Sequence, residues 1–319
     1  MSGSQRFAGR TALVTGSSRG LGFLIARELA ERGCRVMLCA RGAEGLAAAE
    51  ETLHRRGADV ATLACDVTAS DAPQLLLDAV HDRFGHLDVL VNNAGIIQVG
   101  PMSTFQEEDF REAMEAMFFS PLRLAYAALP DLRASAAGTL VSISSIGGRI
   151  APPHLLPYAA AKFAHAGLSE GLRAEITGSG VTVTTVFPGL MRTGSHTAAR
   201  FQGRPGAEYG WFAAAASLPV LSMNAERAAR AIVRAAERRR PELVLTPAAK
   251  AAVRLKGIAP VTTARLLSTA GRFLPSPGKR PRRDVAGTEA ARHAKLPRWV
   301  TALGDRAGRQ YGEPRADRH

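Results

Sequence analysis

Residues 11–22 read TALVTGSSRGLG, an apolar and β-branched run that leads directly into a glycine-rich turn. Such a run favours a strand, and Gly16, Gly20 and Gly22 follow where a helix would begin. Glycines at this point let the backbone approach a pyrophosphate, whose charge the helix N-terminus meets. A glycine-rich turn alone is weak evidence, because it also occurs where a strand simply packs closely on a helix. Its position after the first strand strengthens the first interpretation.

Strand-like and helix-like patterns alternate beyond this turn. Short runs rich in Val, Leu, Ile and Thr occupy residues 11–16, 35–40, 60–67, 87–95, 138–145 and 181–189, and a seventh strand is expected to end near residue 245. Between them, apolar residues recur every three or four positions, which is typical of helices. Strands that alternate with crossover helices imply a parallel sheet covered on both faces. We therefore predict a doubly wound α/β fold of the Rossmann type.

The composition is that of a globular protein. Of the 319 residues, 46% are hydrophobic, and no run approaches the roughly 18 apolar residues of a membrane span. The first residues lack the long apolar segment of a secretory leader. Cys34, Cys39 and Cys65 are odd in number and lack metal-ligand spacing. We expect reduced thiols, no metal site and a cytoplasmic location.

The net charge of +13 is concentrated at one end of the chain. Residues 1–237 contain 22 basic and 22 acidic residues, whereas residues 238–319 contain 19 and 6. A neutral body with a basic appendage differs from a DNA-binding domain that is basic throughout. Interleaved aromatics and a recognisable reading module are also missing from the basic part. We therefore expect no nucleic-acid partner.

Two changes in composition indicate how the chain is organised. Residues 194–222 interrupt the alternation with glycine, proline and scattered aromatics, which is typical of a lid or substrate loop. After Pro247 the alternation ends, and from about Ser276 the sequence is typical of a solvated tail. We predict one α/β domain at residues 8–247 and a basic, helical and partly disordered extension at residues 248–319.

Large apolar side chains are frequent in the segment at residues 194–222. They are Phe201, Tyr209, Trp211, Phe212, Leu218 and Leu221. They suggest an apolar ligand such as a lipid, a steroid or an acyl chain. The same side chains could instead form a subunit interface, and we expect a homo-oligomer.

An amphipathic helix is predicted at residues 261–274 of the extension. Leu266, Leu267, Ala270, Phe273 and Leu274 fall on one side, with Arg265, Ser268, Thr269 and Arg272 opposite. This pattern fits a helix packed on protein and also a helix lying on an anionic membrane at the inner membrane surface. Basic residues that favour the membrane flank it at Lys250, Arg254, Lys256, Lys279, Arg280, Arg282 and Arg283.

The end of the second strand indicates which dinucleotide would bind. An NAD site usually presents an acid there to the ribose 2′-OH, but this chain has Ala40 followed by Arg41. Arg19 lies within the glycine turn itself. Two guanidinium groups favour a 2′-phosphate and hence NADP(H). The alternative is that Arg41 is a solvent-facing loop residue.

Six short motifs resemble the short-chain dehydrogenase/reductase family when they are taken together and in order. They are TGSSRGLG (15–22), CDV (65–67), NNAG (92–95), SISS (142–145), YAAAK (158–162) and PGLMRT (188–193). The resemblance spans about residues 8–247. It implies an oxidoreductase that transfers hydride between NADP(H) and a carbonyl or secondary alcohol.

The resemblance implies a catalytic role for three side chains. Tyr158 would exchange a proton with the substrate oxygen, and Lys162, one helical turn on, would lower the phenol pKa from about 10 and bind the nicotinamide ribose. Ser145 would hold the substrate oxygen, with Ser144 as the neighbouring alternative, since only one of two adjacent strand residues faces the site.

The resemblance also implies the residues that bind the cofactor. They are Gly16, Ser18, Arg19, Gly20, Leu21, Gly22, Arg41, Asp66, Val67, Asn93, Ala94, Gly95, Tyr158, Lys162, Pro188, Gly189 and Thr193. Asp66 and Val67 would flank the adenine, and Thr193 would contact the nicotinamide carboxamide. For Asn92 a structural role and a direct contact remain equal alternatives.

One position departs from the family pattern. Relatives carry an asparagine in the helix after NNAG that holds a water in a proton relay to the lysine, and Met117 takes that place. A thioether cannot replace an amide as a donor. Ser120, close by on the same helix, is a candidate substitute. The departure leaves a second reading open, a non-catalytic NADP(H)-binding scaffold or redox sensor.

Overall fold

The computed structural model describes residues 6–219, 222–278 and 284–313. Leu221, Lys279, Arg280, Arg282 and Arg283, singled out above, lie outside the described residues. The strands are β1 (Thr11–Thr15), β2 (Arg35–Ala40), β3 (Val60–Ala64), β4 (Val89–Asn92), β5 (Gln98–Val99), β6 (Thr139–Ile143), β7 (Thr182–Phe187), β8 (Leu190–Arg192), β9 (Arg200–Phe201), β10 (Ser222–Asn224), β11 (Glu242–Val244) and β12 (Val285–Ala286). The helices are α1 (Gly20–Ala30), α2 (Ala43–His54), α3 (Ala72–Phe84), α4 (Glu107–Met114), α5 (Ser120–Ala134), α6 (Leu156–Glu175), α7 (Pro205–Ser217), α8 (Ala225–Glu237), α9 (Pro247–Ile258), α10 (Pro260–Gly271), α11 (Gly287–Ala290) and α12 (Arg298–Gln310).

Seven strands form one parallel sheet in the order β11-β7-β6-β4-β1-β2-β3. All seven predicted strands belong to it, so the predicted doubly wound α/β fold is confirmed. Strand β1 lies between β2 and β4, and its neighbours are reached by connections that run in opposite directions. Open α/β sheets bind ligands outside the carboxyl ends of the strands at such a switch point.

Two apolar clusters cover the two faces of this sheet. Alternate residues of β1 point to opposite faces, as the two-residue period of a strand requires. Val14 packs in a cluster with Leu24 of α1 and Ile232 of α8. Leu13 packs in the other cluster, together with Leu76 of α3 and with apolar residues of α5. The near-continuous apolar sequence of β1 therefore follows from burial on both sides.

The three cysteines are all free thiols. Cys34 and Cys39 are buried, and burial raises the pKa of each thiol to about 12. Cys65 is half-buried. The expectation of reduced, unpaired thiols agrees with this arrangement.

The segment at residues 194–222 differs from the expected loop, because it contains β9 and α7. Phe201 and Tyr209 are fully buried and Phe212 nearly so, and they pack with Val285 and Ala290 of the extension. Edge-to-face contacts join Phe201 to both other aromatic rings. These three side chains form a second core, so neither of the two roles predicted for them, substrate wall or subunit interface, is correct.

The last described part of the chain returns to the body. Strand β12 pairs antiparallel with β9, with Val285 opposite Phe201. Helix α12 packs on α7 and β8, and His196 contacts Asp305 at 3.2 Å. The solvated tail predicted from Ser276 is therefore wrong for residues 284–313. Val285 and Ala290 complete the second core, and Ala307 and Tyr311 join the main cluster that includes α1.

Helices α9 and α10 extend from the body with few buried residues. Only Ala249 of α9 and Thr263 of α10 are buried. Ile258 and Phe273 are each 86% exposed, and Leu266 is 56% exposed. Within the described part of the chain, Leu266 and Phe273 on the apolar side predicted for residues 261–274 are therefore exposed, whereas Leu267 and Leu274 are half-buried. Among the described residues, no helix is both long and apolar enough to cross a membrane.

Candidate active site

The glycine turn lies at the carboxyl end of β1 and has a conformation that requires glycine. Gly16 and Gly20 have φ angles of 66° and 59°, in the region that side chains disfavour. A Cβ at Gly22 would lie 2.2 Å from the Gly16 carbonyl oxygen. The Asn93 side-chain amide donates to the carbonyl oxygens of Thr15 at 2.9 Å and Gly16 at 3.1 Å. Asn93 thus braces the turn from β4.

Two hydroxyl groups in the same motif complete this bracing and were missed in the sequence. Thr15 Oγ1 accepts from the backbone N–H groups of Asn93 at 3.0 Å and Ala94 at 3.1 Å. Ser17 Oγ donates to the Val14 carbonyl at 2.8 Å and accepts from the Cys39 N–H at 2.9 Å. Hydroxyl residues on both sides of Gly16 were the available signal. They link the carboxyl ends of β1, β2 and β4.

Ser145, Tyr158 and Lys162 converge at the carboxyl end of β6. Ser145 follows this strand and accepts from the Gly147 N–H at 3.0 Å, and its side chain is hydrogen-bonded to Tyr158. Lys162, 4% exposed, donates to the Ile143 carbonyl at 2.8 Å and lies 5.9 Å from the Tyr158 ring centre. Ser144 donates to the Lys162 carbonyl at 2.9 Å, which is the structural role expected for the second serine.

Burial shifts the pKa values of Tyr158 and Lys162 in the direction that favours the uncharged form of each group. It raises the pKa of the Tyr158 phenol, and the hydrogen bond with Ser145 opposes that shift. It lowers the pKa of Lys162 to about 8. Each group thus favours its uncharged state more than it would in water. With a pKa of about 8, Lys162 still carries its positive charge at neutral pH, whereas the Tyr158 phenol is uncharged there.

Met117 lies beside Lys162 in an irregular part of the helix. Residues Glu115–Phe119 form a π-helical turn between α4 and α5, a feature frequent at functional sites. Met117 is fully buried. A Cβ at Gly95 would lie 3.2 Å from Met117 Sδ and 3.6 Å from Lys162 Nζ. The thioether therefore occupies the space next to the ammonium group.

Ser120 and Asn92, discussed above as alternatives, have structural partners. Ser120 Oγ donates to the Val67 carbonyl at 2.7 Å. Its one O–H is used there, so the suggestion that Ser120 replaces the relay asparagine is wrong. The buried Asn92 amide donates to the Pro121 carbonyl at 3.3 Å. Ser120 thus links the start of α5 to the loop at Val67, and Asn92 links it to the end of β4.

The predicted adenine-side residues lie near each other in loops. Asp66 is exposed and accepts from the Thr68 N–H at 3.0 Å and hydroxyl at 2.8 Å. The Thr68 N–H lowers the pKa of this carboxyl, with a smaller contribution from Arg41. Arg41 is exposed in the loop after β2, a position that is compatible with both of the alternatives given above. Val67 is half-buried beside them.

The predicted residues after β7 are packed at the same end of the sheet. The Pro188 carbonyl accepts from the Ile146 N–H at 2.7 Å. A Cβ at Gly189 would lie 2.6 Å from Thr246 Oγ1. Thr193 is buried, and its Oγ1 accepts from the Ser195 N–H at 3.2 Å. Ser18 is half-buried and Leu21 buried.

Arg19 has a partner that the sequence did not indicate. Its Nε lies 3.0 Å from Oε2 of Glu313, and the Gly20 N–H donates to the Tyr311 carbonyl at 3.0 Å. The N-terminus of α1 therefore faces an acidic side chain and a carbonyl oxygen. The groups that hold these oxygens are a backbone N–H at a helix N-terminus and a guanidinium group, and both also bind phosphate. The residues of this turn therefore fit the pyrophosphate of a dinucleotide.

Comparisons with known proteins agree with this geometry. Residues 10–202 match the model of the short chain dehydrogenase family. The 3-oxoacyl-(acyl-carrier-protein) reductase FabG of Vibrio cholerae is 36% identical over 58% of this chain and 75% of its own length. L-fucose dehydrogenase of Oryctolagus cuniculus is 37% identical over 60% of this chain and 66% of its own length.

A solved structure shows the same fold. Actinorhodin polyketide ketoreductase, solved as a variant with NADPH, superposes with a TM-score of 0.63 at 28% identity, over 74% of this chain and 94% of its own. The family model covers β1 to β9 and ends before α7. The chain therefore belongs to the short-chain dehydrogenase/reductase family.

Proposed function

We propose that this oxidoreductase transfers hydride between NADP(H) and the carbonyl or secondary alcohol of an apolar substrate. The observation that carries the proposal is the convergence of Ser145, Tyr158 and Lys162 beside the glycine turn at the switch point of the sheet. Its relatives are named as reductases of 3-oxoacyl groups and of a polyketide. A ketone on an acyl chain is the substrate class we favour.

The nicotinamide supplies hydride when it is bound, and the protein handles the proton. In reduction, the Tyr158 hydroxyl donates its proton to the substrate oxygen as that oxygen gains negative charge. The Ser145 hydroxyl donates a hydrogen bond to the same oxygen and holds it against the phenol. The Lys162 ammonium then stabilises the phenolate, which would otherwise be unfavourable at this buried position.

NADP(H) rather than NAD(H) is supported by charge at the end of β2. Ala40 occupies the place where an acid would repel a 2′-phosphate, and Arg41 is exposed within reach of Asp66. A guanidinium group binds phosphate through two parallel hydrogen bonds. The glycine turn and α1 would hold the pyrophosphate, and Thr193 would hold the carboxamide.

An apolar substrate is supported by the residues around Tyr158. The phenol ring packs against two apolar clusters at once. Partly buried side chains in these clusters include Ile97 and Trp211 in one, and Ile96 and Met114 in the other. The partly buried side chains around the phenol favour an apolar substrate at this position.

The alternative is a non-catalytic NADP(H)-binding protein that acts as a scaffold or senses redox state. Met117 favours it, because the thioether fills the space beside Lys162 where relatives hold a relay water. Both functions require cofactor binding, so turnover separates them.

The test compares the parent with Tyr158→Phe, which removes the transferable proton and little volume. NADPH consumption is followed with ketones, aldehydes and a short 3-oxoacyl thioester, and NADPH binding is titrated separately. We expect turnover by the parent only, and equal binding by both proteins. Binding without turnover on every substrate would favour the alternative, and turnover by Tyr158→Phe would remove Tyr158 from the mechanism.

We also propose a homo-oligomer in which α5 and α6 meet a second copy. An apolar groove between these helices is lined by Leu122, Ala125, Leu129, Leu168 and Leu172, and Tyr126 beside it is 68% exposed. Light scattering of the parent and Tyr126→Glu tests this contact. A monomeric parent would refute it.

The exposed apolar side of α9 and α10 supports contact with an anionic membrane. Ile258 at the end of α9 and Phe273 in the turn after α10 are exposed, and the two helices also carry Lys250, Arg254 and Arg265. Apolar and basic side chains together bind acidic lipid surfaces. Co-sedimentation with phosphatidylserine vesicles, but not with phosphatidylcholine vesicles, is expected. Loss of binding in Phe273→Glu would support the contact. A cytoplasmic location stays a prediction.

A further inference from the structure

The C-terminal residues Tyr311–Glu313 lie where a dinucleotide would place its pyrophosphate. The Gly20 N–H, the first amide of α1, donates to the Tyr311 carbonyl at 3.0 Å. A Cβ at Gly20 would lie 2.9 Å from Oε1 of Glu313, so the missing side chain of Gly20 admits this carboxyl group. Arg19 Nε is 3.0 Å from the other oxygen. An acid thus meets the helix N-terminus and a guanidinium group together, as a phosphate would.

The position of Glu313 is fixed by the end of α12. Gly312 has a φ of 77°, and the Glu313 N–H donates to the Gly308 carbonyl at 2.9 Å. This bond and a left-handed glycine define a Schellman motif, which ends a helix in one direction. The Glu313 side chain, 6% exposed, is therefore aimed by the helix cap into the glycine turn.

Helix α12 is itself attached to the body by specific contacts. Tyr311 is 5% exposed and belongs to the same apolar cluster as α1. Asp305 contacts the buried His196 at 3.2 Å. A Cβ at Gly194 would lie 2.4 Å from the Gly308 Cα, so the two backbones meet closely without side chains. The docked segment is thus part of the packed structure.

From these contacts we infer that residues 311–313 and the dinucleotide bind the glycine turn in competition, so that the C-terminal segment autoinhibits cofactor binding. This inference rests on the proposed use of NADP(H). Both occupants require the Gly20 N–H and the Arg19 guanidinium group, and these groups cannot serve both at once. The cofactor binds only after the segment has left the turn.

The competition predicts that docking of residues 311–313 weakens the apparent affinity of the protein for NADPH. When the binding-competent state is a minor fraction, the apparent Kd rises by the inverse of that fraction. Removing the Glu313 carboxyl group should therefore tighten NADPH binding, whereas most substitutions near a binding site weaken it. This direction distinguishes autoinhibition from a supporting role of the segment.

The experiment uses the full-length chain and three variants. Glu313→Ala removes the carboxyl group, Gly312→Val disturbs the helix cap, and Glu51→Ala, at a glutamate 72% exposed on α2, is the control. NADPH is titrated by its fluorescence, and amide hydrogen exchange of residues 305–313 is measured with and without NADPH. We expect at least about fivefold tighter binding in the first two variants, parental binding in the control, and faster exchange of the segment when NADPH is bound to the parent.

The possible failures are distinct. Equal or weaker NADPH binding in Glu313→Ala, together with unchanged exchange of the segment on binding, would overturn the competition and leave the proposed function intact. No NADPH binding by any of the four proteins would overturn the proposed cofactor and the competition with it. If Gly312→Val loses its fold, judged by circular dichroism, Glu313→Ala alone decides.

Discussion

Replacing Met117 with asparagine tests why this chain departs from its family. The substitution places an amide in the π-helical turn next to Lys162 Nζ and Gly95. The amide oxygen would accept from the ammonium group and raise the pKa of Lys162 from about 8 toward its ordinary value. The amide could also hold the water that relatives use. We therefore expect a higher kcat and a smaller solvent isotope effect.

The cost in stability follows from the complete burial of Met117. Losing its apolar contact costs about 1.5–3 kcal/mol, and burying an amide costs about 1–3 kcal/mol. A hydrogen bond with Lys162 returns about 1 kcal/mol. We expect a net loss of about 1.5–5 kcal/mol in the free energy of unfolding, against the roughly 5–15 kcal/mol of a domain of ordinary stability.

The assay measures kcat in H₂O and D₂O with NADPH and the best substrate of the panel, and stability by urea unfolding. Met117→Leu is the matched control, because it keeps the volume without adding an amide and should cost less than about 1.5 kcal/mol. A folded Met117→Asn protein that is slower than both the parent and Met117→Leu would refute this reasoning. It would show that the site has adapted to the thioether.

Four further predictions concern the cofactor site. Arg41→Ala should weaken NADPH binding by about 1.5–3 kcal/mol and leave NADH binding unchanged; an equal loss in both titrations would exclude a 2′-phosphate contact. Lys162→Ala should impair both turnover and cofactor binding. Because burial lowers the pKa of Lys162 to about 8, the parent loses its ammonium group above that pH, and its kcat/KM should fall. A flat pH profile up to pH 9.5 would contradict this. Gly22→Ala should abolish NADPH binding, because its Cβ would lie 2.2 Å from the Gly16 carbonyl oxygen; parental affinity by titration would show that the turn can adjust. Burial raises the pKa of Glu313 to about 7, and the positive charge of Arg19 opposes that shift. Docking of the segment should therefore be strong toward pH 5 and weaken as the pH rises to about 7. NADPH affinity of the parent relative to Glu313→Gln should therefore increase from pH 6 to pH 8, and a constant ratio would disprove it.

The sequence by itself determined the fold and the grouping of the site. The central strands of the sheet are short apolar runs, and burial on both faces makes that pattern visible in local sequence. The glycine turn and the residues at the ends of β4 and β6 follow strands of a parallel sheet, so they must meet at one edge. Ser145, Tyr158 and Lys162 could therefore be brought together from spacing and family resemblance alone.

The tertiary structure decided which partner each exposed-looking group would have. Phe201, Tyr209 and Phe212 looked like a ligand surface in sequence, but Val285 from the extension buries them. Arg19 was assigned to a phosphate, yet Glu313 from the other end of the chain pairs with it. Neither contact has a local signature, because it joins segments distant in sequence whose own patterns are weak. Such docking depends on shape and charge complementarity across the folded surface, which periodicity and motif spacing do not encode.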